Sequence, residues 1–233
     1  MCGRYTFYNT KTIIEELKRV GKPLKDDVSA NFTPSYNIYP QSDIATALGL
    51  ESFNHYRYTR WGLIPFWTDD ITMGNKMINA RAENLEDRPA FRKPFKRQRC
   101  IIPANGFYEW QRIPKSRKKI PYYYKPKDTD TFAFAGLFDY WNVPQSNEVI
   151  ISSTIITVNA NELIKEVHDR MPAILDFNDI NVWLDSDYKN YDYLKSLLKP
   201  YPSNKMEGYM VSDYVNNPNN NDEKCIEPVK SLF

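Results

Sequence analysis

From residue 43 to residue 158 the chain is a succession of short stretches rich in Tyr, Phe, Ile and Thr, and this limits the fold more than any other feature. Such side chains suit a pleated, half-buried surface, so strands are expected at 43–50, 53–61, 76–81, 100–102, 106–112, 121–125, 131–139 and 148–158. CGRYTFY, at residues 2 to 8, reads as a further strand ahead of them. Helical signals lie outside that block. Asn9 or Thr10 can cap a helix through about Val20, with Ile13, Ile14, Leu17 and Val20 on one face and Gly21 ending it. Further helices are expected at 160–167, 178–185 and 191–198. Residues 22–42, which include PSYNIYP, and the late NNPNNN stretch read as loops. No repeat and no long linker divides the chain. The expectation is one α+β domain over residues 1–233, much of its β pairing non-local.

The size agrees. At 233 residues, 42% hydrophobic and 15% aromatic, the chain can bury a substantial core. It has no apolar run of membrane-spanning length and no charged-then-apolar leader, so the expected setting is the cytoplasm, with nucleoid association in a bacterium. Three scattered cysteines, Cys2, Cys100 and Cys225, argue against a disulfide framework. With only two histidines and no paired ligand spacing, no metal site and no cofactor are expected.

A net charge of +2 hides a strong polarisation. Between Arg88 and Lys127 there are 13 Lys or Arg residues and one acid, Glu109, leaving the rest of the chain at −10. One reading is a solvated loop in RKPFKRQR and PKSRKK. The other is a surface for polyanions, because Phe91, Phe95, Phe107, Tyr108, Trp110 and Tyr122 to Tyr124 interleave with the cations. Backbone-neutralising cations beside base-stacking rings are the ingredients of single-strand binding.

Four stretches can carry chemistry. In RWGLIPFW, Trp61 reads as core, while Trp67 follows a proline turn and can project. In NARAEN, Asn79 and Arg81 share one strand face. In CIIPANGFYEW, Glu109 is flanked by Tyr108 and Trp110; lost hydration disfavours its charge, while nearby cations favour it. VHDRMP holds His168, which reads as a packed, hydrogen-bonded side chain or as an acid/base. Cys2 poses a similar choice. It can simply start a strand, or, after loss of Met1, present an amine and a thiol on adjacent carbons. Such a 1,2-aminothiol captures an aldehyde as an imine, which the thiol closes to a thiazolidine.

Taken in order, MCGRY, YNIYP, RWGLIPFW, NARAE, RCIIPANGFYEW and HDRMP resemble the SOS response-associated peptidase family, over nearly the whole chain. The resemblance implies a curved, barrel-like β arrangement with helices around it, and abasic-site processing in the DNA damage response. By that likeness Cys2 is the nucleophile that crosslinks to an abasic site in single-stranded DNA, and Asn79 orients the chain end and the captured sugar. Glu109 is the proton shuttle and His168 a second acid/base. Arg4, Arg81 and Arg170 contact phosphate, and Trp67 stacks beside the lesion. Self-processing of Met1 and lyase character are implied as well. The partner expected is single-stranded DNA with abasic sites, met by a monomer and with no membrane involved. Asn105 departs from the acidic residue many relatives carry. Two other readings stay open: an N-terminal cysteine amidohydrolase or peptidase using Cys2, Glu109 and His168, and a non-covalent single-strand binder.

Overall fold

Five strands close on one another into a barrel, and everything else in the fold is attached to that ring. In the computed structural model, which describes residues 2–19 and 21–229, the elements run β1 (Tyr5–Phe7), α1 (Lys11–Arg19), β2 (Leu24–Asp26), β3 (Ser35–Ile38), β4 (Asp43–Gly49) and β5 (Asn54–Trp61). Next come β6 (Asn79–Arg81), α2 (Pro89–Arg97), β7 (Arg99–Ala104), β8 (Gly106–Arg112), β9 (Lys119–Pro126), β10 (Phe132–Asn142) and β11 (Val149–Asn159). The chain finishes with α3 (Glu162–Lys165), β12 (Arg170–Pro172), β13 (Ile174–Leu175), α4 (Ile180–Leu184), α5 (Tyr191–Leu197) and β14 (Met206–Met210). The barrel order is β11-β10-β7-β4-β5, antiparallel throughout until β5 returns to β11 in parallel, with Ser152 opposite Arg60 and Ser153 opposite Trp61. Closure removes the exposed strand edges along which open sheets aggregate.

The local sequence explains the ring. β10 and β11 have 11 residues each, β10 with five aromatics and β11 mostly β-branched, and pair along Gly136–Asn142 and Val149–Ile155. Most of their side chains are buried, and α2 packs against β7 and β10 while α4 packs against β4 and β7. Inside, Thr46, Thr59 and Ser153 join hydroxyl to hydroxyl at 2.8 Å, which satisfies polar groups that burial would otherwise penalise. At the exit of β5 the chain turns at Gly62, whose φ is +127° and where a Cβ would sit 2.5 Å from the Gly74 carbonyl oxygen. Only glycine fits there.

A second sheet, in the order β14-β9-β8-β1-β3, leans on the ring. β7 passes into it through Asn105, which occupies the departure noted above. Asn105 Oδ1 accepts from the Tyr8 and Asn9 amides, and its Nδ2 donates to the Asp130 carbonyl. A carboxylate could accept the first two bonds but could not donate the third. Asn105 therefore ties three segments together, away from the groups around Glu109.

Several expectations need correction. The first strand is shorter, Tyr5–Phe7 in place of 2–8, and the 22–42 loop contains β2 and β3. The cationic RKPFKR run is helical: α2 starts on Pro89, keeps Pro94 inside, and buries Phe91 and Phe95 one turn apart. β12, β13 and β14 were not expected. In α1, Ile13 and Leu17 are buried as predicted, while Val20 lies outside the described residues. Among the described residues, no helix is long and apolar enough to cross a membrane.

Candidate functional site

β1 and β8 bring the reactive groups together. They run antiparallel with Tyr5 opposite Phe107, and the Tyr108 amide donates to the Arg4 carbonyl. Continuing that register sets Glu109 beside the Cys2–Gly3 step. From the other side β6 lies parallel to β11, with Asn79 opposite Ile155, and Asn79 Nδ2 donates to the Cys2 carbonyl at 2.8 Å. Asn79 Oδ1 is buried and has no hydrogen-bond partner among the described residues, so an acceptor stands beside Cys2 for a substrate hydroxyl or an amine. His168 arrives just before β12 and places Nε2 4.0 Å from Glu109 Oε2. The four residues expected to share a site do so.

Burial sets their protonation. Cys2 is 0% exposed, and desolvation, followed by the Glu109 charge, pushes its thiol far above the ordinary range. Glu109 is 3% exposed, and burial raises it to about 7. Near neutral pH it is thus divided between acid and carboxylate, which suits a group that must take and return a proton. Burial lowers the His168 ionisation. Asp169, with an oxygen 2.9 Å from Nδ1, pulls the other way but is largely solvated, and the neutral ring prevails. His168 Nδ1 lies 3.0 Å from the Arg170 amide, which donates to it when the ring proton is on Nε2, and 2.9 Å from the Asp169 oxygen, which favours the proton on Nδ1; Nε2 faces Glu109.

Two open clefts flank the Cys2 segment, one reaching Asn79, which holds the Cys2 carbonyl, and the other reaching Gly3. One, of about 440 Å³, is lined by Asn79, Arg81, Arg88, Lys76, Phe91 and Trp67. Trp67 is 51% exposed, as is its neighbour Phe66, over which Lys93 Nζ sits 4.3 Å from the ring centre. The other, of about 590 Å³, is bounded by Gly3, Arg4, Trp110, Asn216 and the run Arg117–Lys119. Arg4 lies about 6 Å over both Trp110 and Tyr39, with Nη1 held by Asn37 Oδ1 and the Val215 carbonyl. Trp110 Nε1 donates to Asn216 Oδ1.

The structure separates the expected binding residues. Arg4, Arg81 and Trp67 line the clefts, and Arg170 does not. Arg170 is 6% exposed and donates to both Glu83 oxygens at 2.6 and 2.9 Å, to Asn159 Oδ1 and to the Thr157 carbonyl. Both Nη groups are thus engaged within the fold, while Nε is buried with no hydrogen-bond partner among the described residues. The interleaved aromatics divide likewise: Phe91, Phe95, Phe107, Tyr108, Tyr123 and Tyr124 are buried, while Trp110 faces a cleft. Of the cations, Arg99 is buried among backbone carbonyls, and Lys125 and Arg97 pair with Glu207 and Asp187. Lys76 and Asn216 were not singled out beforehand. A lone lysine and one asparagine in an Asn-rich loop carry no local signal, since only the fold brings them to the clefts.

Comparison with known proteins accounts for the arrangement. The family model described as SOS response associated peptidase (SRAP) matches residues 1–218. A Bacillus subtilis protein named abasic site processing protein YoqW is 46% identical over 97% of this chain and 99% of its own. The Xenopus tropicalis abasic site processing protein HMCES is 34% identical, over 88% of this chain and 69% of its own. Among solved structures, a Bacteroides thetaiotaomicron protein superposes with a TM-score of 0.84 at 27% identity, covering 98% of this chain and all of that one. In sequence and in fold, the chain belongs to the SOS response associated peptidase family.

Proposed function

We propose that this protein processes abasic sites by linking itself to them in single-stranded DNA, through a thiazolidine formed by Cys2 once Met1 has been removed. The observation that carries the reading is the convergence of Asn79, Glu109 and His168 on the Cys2 backbone, between two cation-lined clefts. The relatives named for abasic-site processing support the same substrate.

The amine acts first. An unperturbed α-amine ordinarily titrates at about 7.7–8.0, which leaves part of such a group nucleophilic near neutral pH. The Cys2 thiol, held protonated by burial, contributes little thiolate. The amine adds to C1′ of the ring-opened sugar, forming a C–N bond, and one of its protons passes to the carbonyl oxygen, which becomes a hydroxyl. Glu109 takes the second N–H proton and delivers a proton to that hydroxyl, which leaves as water, so the imine forms without any redox change. The Cys2 sulfur then adds to the imine carbon while its proton passes to nitrogen, closing the ring. Asn79 holds the Cys2 carbonyl so that amine and thiol face one carbon, and confinement in the cleft raises the local aldehyde concentration. His168, kept neutral by burial and with Nε2 facing Glu109, supports sugar opening and the exchange of a proton with Glu109. An imine at this carbon also labilises the 3′ phosphate to β-elimination, and ring closure by sulfur suppresses that loss.

Intact mass spectrometry of the protein mixed with abasic single-stranded DNA tests the reading. The expected product weighs the sum of protein and DNA less one water. Cys2→Ser should give a species trapped only by borohydride. A protein with an extra residue retained before Cys2 should give none, because its amine is an amide. A heat-stable adduct on the blocked protein would refute the aminothiol.

A further inference from the structure

One carboxylate of the NARAEN stretch has no part in the chemistry above. Glu83 follows β6 directly, and both its oxygens receive the Arg170 guanidinium at 2.6 and 2.9 Å. We propose that Glu83 is a positioning residue: through Arg170 it holds His168 in register with Glu109, joining the segment that carries His168 to the strand that anchors Cys2. The assignment rests on the proposed chemistry for its consequence but on the geometry for its substance.

The chain of contacts is continuous. β11 lies between β6 and β12: Thr157 is opposite Arg81 on one side and Pro172 on the other, and Asn159 is opposite Arg170. The Glu83–Arg170 pair bridges over the end of β11, closing that three-strand layer from above. At one end of the bridge, four residues before Glu83, Asn79 holds the Cys2 carbonyl. At the other, the Arg170 amide donates to His168 Nδ1 and leaves Nε2 to face Glu109. Bidentate pairing fixes the guanidinium in plane as well as in place, which a single contact would not. Without Glu83, a nearly buried cation would keep only Asn159 and the Thr157 carbonyl, and would turn toward water. The start of β12, and with it the amide that orients His168, would move too. The charged groups around the ring include the N-terminal amine, Glu109 and Arg112 on β8, its neighbour Asp169, and Arg170 behind it.

The test compares Glu83→Ala and Glu83→Gln with the wild type in two measurements. In free protein, the nitrogen shifts of His168 are followed by NMR across pH. In Glu83→Ala the balance of the two tautomers should shift away from the Nε2-protonated form that the Arg170 amide favours, and the ring should ionise at higher pH as it gains solvent. Glu83→Gln, which keeps one acceptor for Arg170, should stay close to wild type. With abasic single-stranded DNA, crosslinking by Glu83→Ala should slow by about tenfold, the scale of a small misplacement at a reacting centre, while affinity for intact strand stays within about twofold. An unchanged His168 tautomer and titration in Glu83→Ala would overturn the proposal. So would tighter strand binding, which would make Arg170 a phosphate contact that Glu83 masks. Should Glu83→Ala not fold, Arg170→Lys, which loses the two-pronged pairing but keeps the charge, must reproduce the His168 change. If wild type forms no adduct, the chemical reading fails, yet the NMR comparison still decides whether Glu83 positions His168.

Discussion

Glu109 is where stability and chemistry oppose one another. Its pKa rises from the ordinary carboxylate range to about 7 because folding removes the carboxylate from water. An acid raised on folding contributes stability in full below its unfolded value and loses that contribution as pH rises through the folded one. Between about pH 4.5 and 8 the wild type should therefore lose up to about 3 kcal/mol of unfolding free energy from this group alone. Glu109→Gln, an amide of the same shape, should show no such slope in urea melts, and above pH 7.5 it should be the more stable protein. Over the same range crosslinking by the wild type should accelerate as the carboxylate form grows, and Glu109→Gln should react at least about a hundredfold more slowly, within the range of general acid–base catalysis. A variant both less stable at pH 8 and equally fast would place the proton shuttle elsewhere.

At the scale of elements, the loop carrying Trp67 is held from beneath by two strands of the barrel. Ser152 Oγ accepts from the Ile64 amide, Asp139 Oδ2 accepts from the Phe66 amide, and Trp141 Nε1 donates to the Thr68 carbonyl. An exposed tryptophan is thereby presented on a fixed support. Asp139→Ala leaves the Phe66 amide and Gln98 without their acceptor and should cost about 1–3 kcal/mol in a urea melt. A loss under about 0.5 kcal/mol would mean the loop does not depend on that contact. Legibility from sequence also divides by element. β4, β5, β8, β10 and β11 were readable because each carries a run of strand-forming side chains long enough to show its own pattern. β12, β13 and β14, of two to five residues, exist only through their partners, and no local pattern marks them. α2 was hidden by Pro94 and by its cations, though the Phe91–Phe95 spacing was there to be seen. In the site, the ordered motifs grouped Cys2, Asn79, Glu109 and His168, whereas the fate of Arg170 was not readable: its counter-ion is 87 residues away.

For the molecule as a whole, what matters is where the 13 cations of the Arg88–Lys127 segment end up. Folding spends several on ion pairs and backbone carbonyls and leaves Arg117, Lys118 and Lys119 beside Arg4 on one cleft, with Arg81 and Arg88 on the other. If both clefts carry strand, replacing Lys118 and Lys119 with glutamine should flatten the dependence of log affinity on log salt by about 1.4, taking roughly 0.7 for each single-strand phosphate released. Arg170→Gln should leave that slope unchanged, since its charge is already matched by Glu83. The reverse ranking would return Arg170 to the binding surface. The complete burial of Cys2 has a consequence for how such a protein lives among other electrophiles. Its sulfur is shielded from solution by the same packing that keeps it protonated, so under the proposed chemistry it would stay dormant until a carbonyl reached the neighbouring nitrogen. Chemoselectivity would then belong to the enclosure, with the thiol sheathed until a substrate fits the clefts.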